Sequence, residues 1–270
     1  MNMFKSLALV SSVMLISGCN ALGTIPLDKH RSLSNTSWGY QVVKDPTGTA
    51  PSETVERFEV RPGDCGSDPG WSDCANDRER SEISTGFTQS TKILPGQDRW
   101  IGFYIYLPED FETSWDVRTT LGQIHMKGGM QGTAGGFKSF PPLIQLEAKN
   151  GWQGDGYITS YHRLTGDPKN ISDVAQHELL SKLDDMKGKW THVMFHIAGK
   201  GPSPYLEIFI NGDRKAEFVQ TLPKAPEHYY FKYGIYRSFV SRHGGPMPIQ
   251  IVFYDEVKMG TSREEVESIK

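Results

Sequence analysis

The chain has little cysteine, little excess charge and only one long apolar run, and each scarcity narrows what it can be. Lys and Arg total 29 against 32 Asp and Glu, a formal net charge of −3. So even a balance gives no global steering toward a polyanion and no basic surface of the kind that nucleic acid demands, so no nucleic-acid partner is expected. Any attraction for an acidic ligand must come from local positive charge. The apolar run, Leu7 to Ile16, is too short to span a bilayer and follows Lys5, which reads as the n-region and h-region of an export signal. Leu15-Ile16-Ser17-Gly18-Cys19 then reads as a lipobox, with Cys19 the lipidated N-terminus of the mature chain. Asn20 in the next position favours attachment at the outer membrane over retention at the inner one. Of the three cysteines, two remain beyond that point, Cys65 and Cys74. In an exported chain such a pair, bracketing a Gly-, Asp- and Pro-rich loop, reads as a disulfide, whereas a metal site would need more ligands.

No linker or repeat divides the rest. The organisation expected is a signal over 1–19, a polar tether with an N-terminal strand over 20–54, and one domain over 55–270. That domain alternates with period two and is broken by Gly, Pro, Asn and Asp turns. Strands are expected over 56–61, 78–85, 99–107, 119–127, 143–148, 156–163, 190–197, 205–210, 229–238 and 249–259. Asn211-Gly212 is a hairpin signal. One segment, Ser172 to Met186, places Val174, Leu179, Leu180 and Leu183 near helical spacing. The fold class expected is all-β, a concanavalin A-like β-sandwich or jelly roll with one short helix.

Alternation also groups polar residues. Arg78, Arg80 and Glu82 share one strand face, Gln123, His125 and Lys127 a second, and Tyr230, Lys232 and Tyr236 a third. A sheet face lined this way is costly unless it binds something polar. The residue types suit β-elimination on a uronate. Arginine, glutamine amide and histidine can neutralise the C6 carboxylate, a base can take the C5 proton, and an acid can protonate the departing O4. Tyr236 suits the second and third tasks, and a neutral histidine is the other candidate for the second. No metal or cofactor is needed for that electron flow.

Arg80 to Ser84 (RSEIS), Gln123 to His125 (QIH) and Tyr230 to Tyr236 (YFKYGIY) resemble, in order, the three motifs of the alginate-lyase family of jelly-roll polysaccharide lyases. Lys232-x-Gly234-x-Tyr236, with Arg237 following, is similar to the heparin lyase I and glucuronan lyase group. So are Gly188 to Ile197, Leu206 to Phe218 and Val252 to Gly260. The resemblance implies a polysaccharide lyase acting on a uronic-acid polymer. Arg80, Gln123 and His125 would bind the carboxylate, Tyr236 would be base, acid or both, and Lys232 would hold substrate or tune the tyrosine. Arg78, Glu82, Lys127, Tyr230, Arg237 and His162 complete the expected cleft, and His162 competes with His125 should the base be a histidine. Two departures, Ser84 where the alginate-lyase pattern has arginine and Tyr233 where it has a small residue, weigh against alginate itself. Some relatives carry calcium, but no acidic cluster here is dense enough to assign a structural calcium site. His192 and His196 share a face without an evident third metal ligand. The glycine-rich loop Gly128 to Phe137 is expected to be a lid. A sandwich-fold glycoside hydrolase would need two carboxylates in a Glu-x-Asp-x-x-Glu run, which is absent. A non-catalytic lectin on the same face is the stronger rival. A monomer is expected.

Overall fold

The computed structural model describes residues 23–114, 116–128, 142–149, 156–164, 172–199, 203–220, 222 and 225–267. The signal segment with Cys19, and the expected lid beyond Gly128, lie outside them. The chain begins with β1 (His30–Ser32), β2 (Tyr40–Lys44) and β3 (Thr54–Val60). A small hairpin follows, β4 (Ser67–Asp68) with β5 (Trp71–Ser72), and then the long strands β6 (Arg78–Ser84), β7 (Arg99–Tyr106) and β8 (Arg118–Lys127). Next come β9 (Ile144–Lys149), β10 (Gly156–Leu164), β11 (Ser172–Lys182) and a single helical turn, α1 (Leu183–Met186). The last elements are β12 (Trp190–Ala198), β13 (Tyr205–Ile210), β14 (Asp213–Val219), β15 (His228–Ser238), β16 (Gln250–Gly260) and α2 (Arg263–Val266).

Two seven-stranded antiparallel sheets result, one ordered β1-β6-β15-β8-β9-β10-β11 and the other β14-β13-β12-β7-β16-β3-β2. We call them the site sheet and the back sheet. The period-two pattern decides which side chains meet between them. Ile124, Phe231, Tyr233 and Ile235 from the site sheet are buried against Phe58, Ile101, Phe103, Ile105, Phe195 and Tyr254 from the back sheet. The rings interlock, with Phe103 stacked on Phe231 at 5.7 Å and Phe58 set edge-on to Tyr254 at 5.4 Å. Each such buried side chain contributes about 1.5–3 kcal/mol. The segment 23–54 supplies β1 to the edge of the site sheet and β2 to the edge of the back sheet. Asn211 and Gly212 both take positive φ, 51° and 87°, as a two-residue turn joining β13 to β14 requires.

One expectation fails. The helix read over Ser172 to Met186 is a strand as far as Lys182, with only Leu183–Met186 helical, and a second short helix, α2, closes the domain. A lone helix of that length is marginal, whereas β10 offers a full row of unpaired backbone groups that β11 satisfies from Gly156↔Lys182 to Leu164↔Ser172. Pairing overrides the local pattern.

Candidate active site

The register assembles the three polar strand faces side by side on the outward face of the site sheet. β15 lies between β6 and β8, with Tyr236 opposite Arg80, Lys232 opposite Gln123, and Tyr230 opposite His125. A bulge in β15 between Tyr233 and Tyr236 breaks the pairing with β8 while leaving that with β6 continuous. Gly234 makes it, with φ +122° and a position where a Cβ would come 2.8 Å from the Phe58 ring. Tyr236 is thereby carried opposite Thr120.

Glu82 is the hub. Its carboxylate accepts hydrogen bonds from Lys232 Nζ at 2.6 Å, Gln123 Nε2 at 2.6 Å and Arg80 Nη1 at 3.2 Å, all buried. Burial alone would raise the Glu82 carboxyl, but Lys232 and Arg80 beside it hold it below the usual carboxylate range. Asp73, completely buried, grips Arg80 from the other side, taking Nε and Nη2 in a bidentate pair at 2.6 Å each. The Arg80 guanidinium so fixed lies over the Tyr236 ring, 4.2 Å from its centroid. Arg78 Nε donates to the Tyr236 hydroxyl at 3.2 Å. Tyr236 thus has one guanidinium on its face and another at its oxygen.

His125 stacks on Tyr230 at 5.1 Å, and burial, reinforced by the charge of Lys232, pushes its imidazole down to about 4. The ring is therefore neutral near pH 7. Its Nδ1 lies 2.9 Å from the Met126 amide nitrogen and 3.1 Å from the Met126 carbonyl oxygen, so the site accommodates either tautomer. Among the described residues the buried Gln123 side-chain oxygen has no partner, and one of the two amide hydrogens goes to Glu82, leaving the other to donate.

Most of the expected residues are thus in one cluster: Arg78, Arg80, Glu82, Gln123, His125, Tyr230, Lys232 and Tyr236. Lys127 is exposed at the end of the same face. Arg237 is not in the cluster. It lies on the opposite face of β15, fully buried, pairing with Glu79 and donating to the Pro248 carbonyl at 2.6 Å. It ties the sheet together and does not line the cleft. Tyr233 also points inward, donating to Glu56 at 2.8 Å, so its departure from the small residue of the motif leaves the outward face untouched. His162 is in β10, with its side chain outside the described residues. On the back sheet, His196 Nδ1 and Nε2 each contact a carboxylate oxygen at 2.8 Å, of Glu207 and Asp98 respectively. No group of three metal-ligating side chains occurs among the described residues.

The sequence reading missed two sets of residues. Gln145 and Glu147 of β9 are buried on the site face in register with Gln123 and Thr120, and Gln145 donates to the Thr120 hydroxyl at 2.9 Å. The alternation that flagged the other strands was equally present there. Asp73 had no periodic signal, because it sits in the loop closed by the Cys65–Cys74 disulfide.

A sandwich carrying this cluster on one outward sheet face has the architecture of a jelly-roll lyase. The sequence profile of the polysaccharide lyase family matches residues 21–258, and the chain belongs to that family. No curated protein sequence matches it. Among solved structures it is similar to an endo-β-1,4-glucuronan lyase from the fungus Trichoderma reesei, at 17% identity and a TM-score of 0.63 over 91% of this chain and 95% of that one. It also resembles a family 7 alginate lyase, A1-II′, at 16% identity and a TM-score of 0.53 over 87% and 85%. An alginate lyase from Klebsiella pneumoniae follows at 12% and 0.50, over 78% and 82%. At these identities the likeness establishes the shared fold. The protein is a polysaccharide lyase with an all-β jelly-roll fold.

Proposed function

We propose that the enzyme cleaves a uronic-acid polysaccharide by β-elimination, with Tyr236 as the proton-transfer group. The observation that carries this reading is Tyr236 itself, held between the Arg78 and Arg80 guanidiniums on a face otherwise built of Gln, His and Lys. The substrate carboxylate would be met by His125 and Gln123, with Arg80 behind them, so that charge moving onto it as the C5 proton leaves is stabilised. That proton passes to Tyr236 as its phenolate, or to neutral His125 through an unprotonated Nε2, which then leaves the carboxylate to Gln123 and Arg80. The C5–H electron pair forms the C4=C5 double bond, the C4–O4 bond breaks with its electron pair going to O4, and O4 takes a proton from the Tyr236 phenol. Arg80 acts largely from behind, because Asp73 and Glu82 occupy three of its N–H directions. The names of the similar structures, a glucuronan lyase and alginate lyases, fit a polyuronate substrate.

The test is incubation with alginate, glucuronan and heparin, followed by the ultraviolet absorbance of unsaturated uronide ends. Tyr236→Phe should lose about 10²–10⁴-fold in turnover while remaining folded. Wild-type turnover by that variant would remove Tyr236 from the chemistry.

We further propose that the mature chain is lipid-anchored through Cys19 at the outer membrane, a reading supported by the lipobox order alone. Cys19→Ser should move the protein from the membrane fraction to the soluble fraction, and an unchanged distribution would refute the anchor.

A further inference from the structure

The ring surface of the site continues past Tyr230. β6 ends at Ser84, and Thr85 extends its pairing by one more hydrogen bond, from its amide to the Phe231 carbonyl at 3.0 Å. The chain then turns around Asp28, whose carboxylate accepts the amides of Gly86, Phe87 and Thr88 at 3.0, 2.6 and 2.5 Å. Gly86, at φ +87°, brings this turn against Tyr230, where a Cβ would come within 2.5 Å of the tyrosine Cβ. The next side chain, Phe87, is 60% exposed. Its ring is not loose, because it packs on His30 of β1 with centroids 4.2 Å apart. Two ring pairs thus lie across neighbouring strands, His125 of β8 with Tyr230 of β15, and Phe87 just beyond β6 with His30 of β1, with Gly86 packed against Tyr230 between them. At about 4.8 Å per strand the two pairs span roughly 14 Å, longer than a single pyranose ring.

An exposed phenylalanine is ordinary when isolated. One whose backbone is pinned by three amides to a single carboxylate, beside the proposed catalytic face, is preorganised to receive something flat and apolar. The C–H face of a pyranose is such a surface, and its carboxylate edge would turn toward the cationic cluster.

We propose that Phe87, backed by His30, is a stacking subsite for a sugar ring of the same polyuronate chain, removed from the bond being broken. The proposal rests on the reading of the site as a polyuronate cleft.

Full-length Phe87→Ala, Phe87→Tyr, Val219→Ala and Tyr236→Phe test it. Val219, as exposed as Phe87, lies on the back sheet and serves as the control. Phe87→Ala should raise KM for the polymer about tenfold, with a smaller change in kcat, and Phe87→Tyr should restore it. Electrophoresis through gels containing alginate or glucuronan gives a readout independent of turnover, in which Phe87→Ala should lose the retardation shown by wild type. A KM and a gel mobility for Phe87→Ala equal to those of wild type would overturn the subsite, as would a Phe87→Tyr variant as impaired as the alanine one. Full turnover by Tyr236→Phe would instead overturn the catalytic reading and leave the gel result to judge the subsite.

Discussion

The outward faces of the two sheets are both rich in aromatic and charged side chains, yet they differ in how those charges are held. On the back sheet, Arg214 pairs with Glu207 and Glu217 at 2.8 Å, and the Arg214 and Glu217 side chains are 51% and 47% exposed. On the site sheet, Lys232, Glu82 and Arg80 pair with side-chain exposures of 7%, 2% and 8%. Exposed pairs contribute little to stability and cost little to keep. Buried ones carry a desolvation penalty that an apolar replacement would avoid, so their retention calls for another reason. The back sheet also carries an opening, a cavity of about 490 Å³ beside Tyr106, Pro108 and Phe253, and none of the three motifs' residues lines it. In these pairs, burial of charge more than polarity separates the proposed catalytic face from the back sheet.

The comparison can be broken by experiment. The largest expected contrast is in turnover: Tyr236→Phe loses about 10²–10⁴-fold, whereas His196→Gln, on the back sheet, keeps the wild-type rate. Comparable losses from both variants would end the distinction. In stability, Lys232→Met strands Glu82 without its nearest cation and should cost about 3–5 kcal/mol by denaturant unfolding. Arg214→Ala should leave the unfolding midpoint unmoved. Opening the Cys65–Cys74 bridge with a Cys→Ser pair should cost about 2–3 kcal/mol, and it should lower kcat as well, because Asp73 precedes Cys74 and holds Arg80. A bridge variant with unchanged kcat would make the loop purely structural.

The smallest effect expected is in pH dependence. His125 binds its proton more weakly folded, at about 4, than at its ordinary 6.5. Between those values the unfolded chain takes up more protons, so stability is full above pH 6.5 and falls as the pH drops toward 4. His125→Gln should flatten that limb in urea titrations across the window, and an unaltered slope would show the imidazole to be ordinary.

Much of the fold was legible because alternation is a local property. The strands on either side of the core, such as Arg99–Tyr106 of the back sheet and Arg118–Lys127 of the site sheet, show it plainly. Ser172–Lys182 was misread because its leucines fit a helix, and only the backbone of β10, remote in sequence, decides the matter. In the site, the Arg80, Gln123 and Lys232 faces could be read strand by strand, but not that all three converge on Glu82. Arg237 was drawn in by the motif resemblance, in which it follows Tyr236, although period two sends neighbours to opposite faces, as its bond to Pro248 shows. Asp73 reaches Arg80 from an irregular loop, where no period exists to betray it.

That loop clamps the strand that carries Arg80. Its two ends are stitched to β6, with the Arg78 amide on the Asp73 carbonyl and the Arg80 amide on the Asp64 carbonyl, each at 2.9 Å. Asp64 and Asp73 each adjoin a cysteine of the bridge. Forming one covalent bond therefore brings both anchors of the Arg80 strand to their places together. The bridge is thus a clamp on both sides of the Arg80 strand, and reducing it should loosen the hold on that guanidinium.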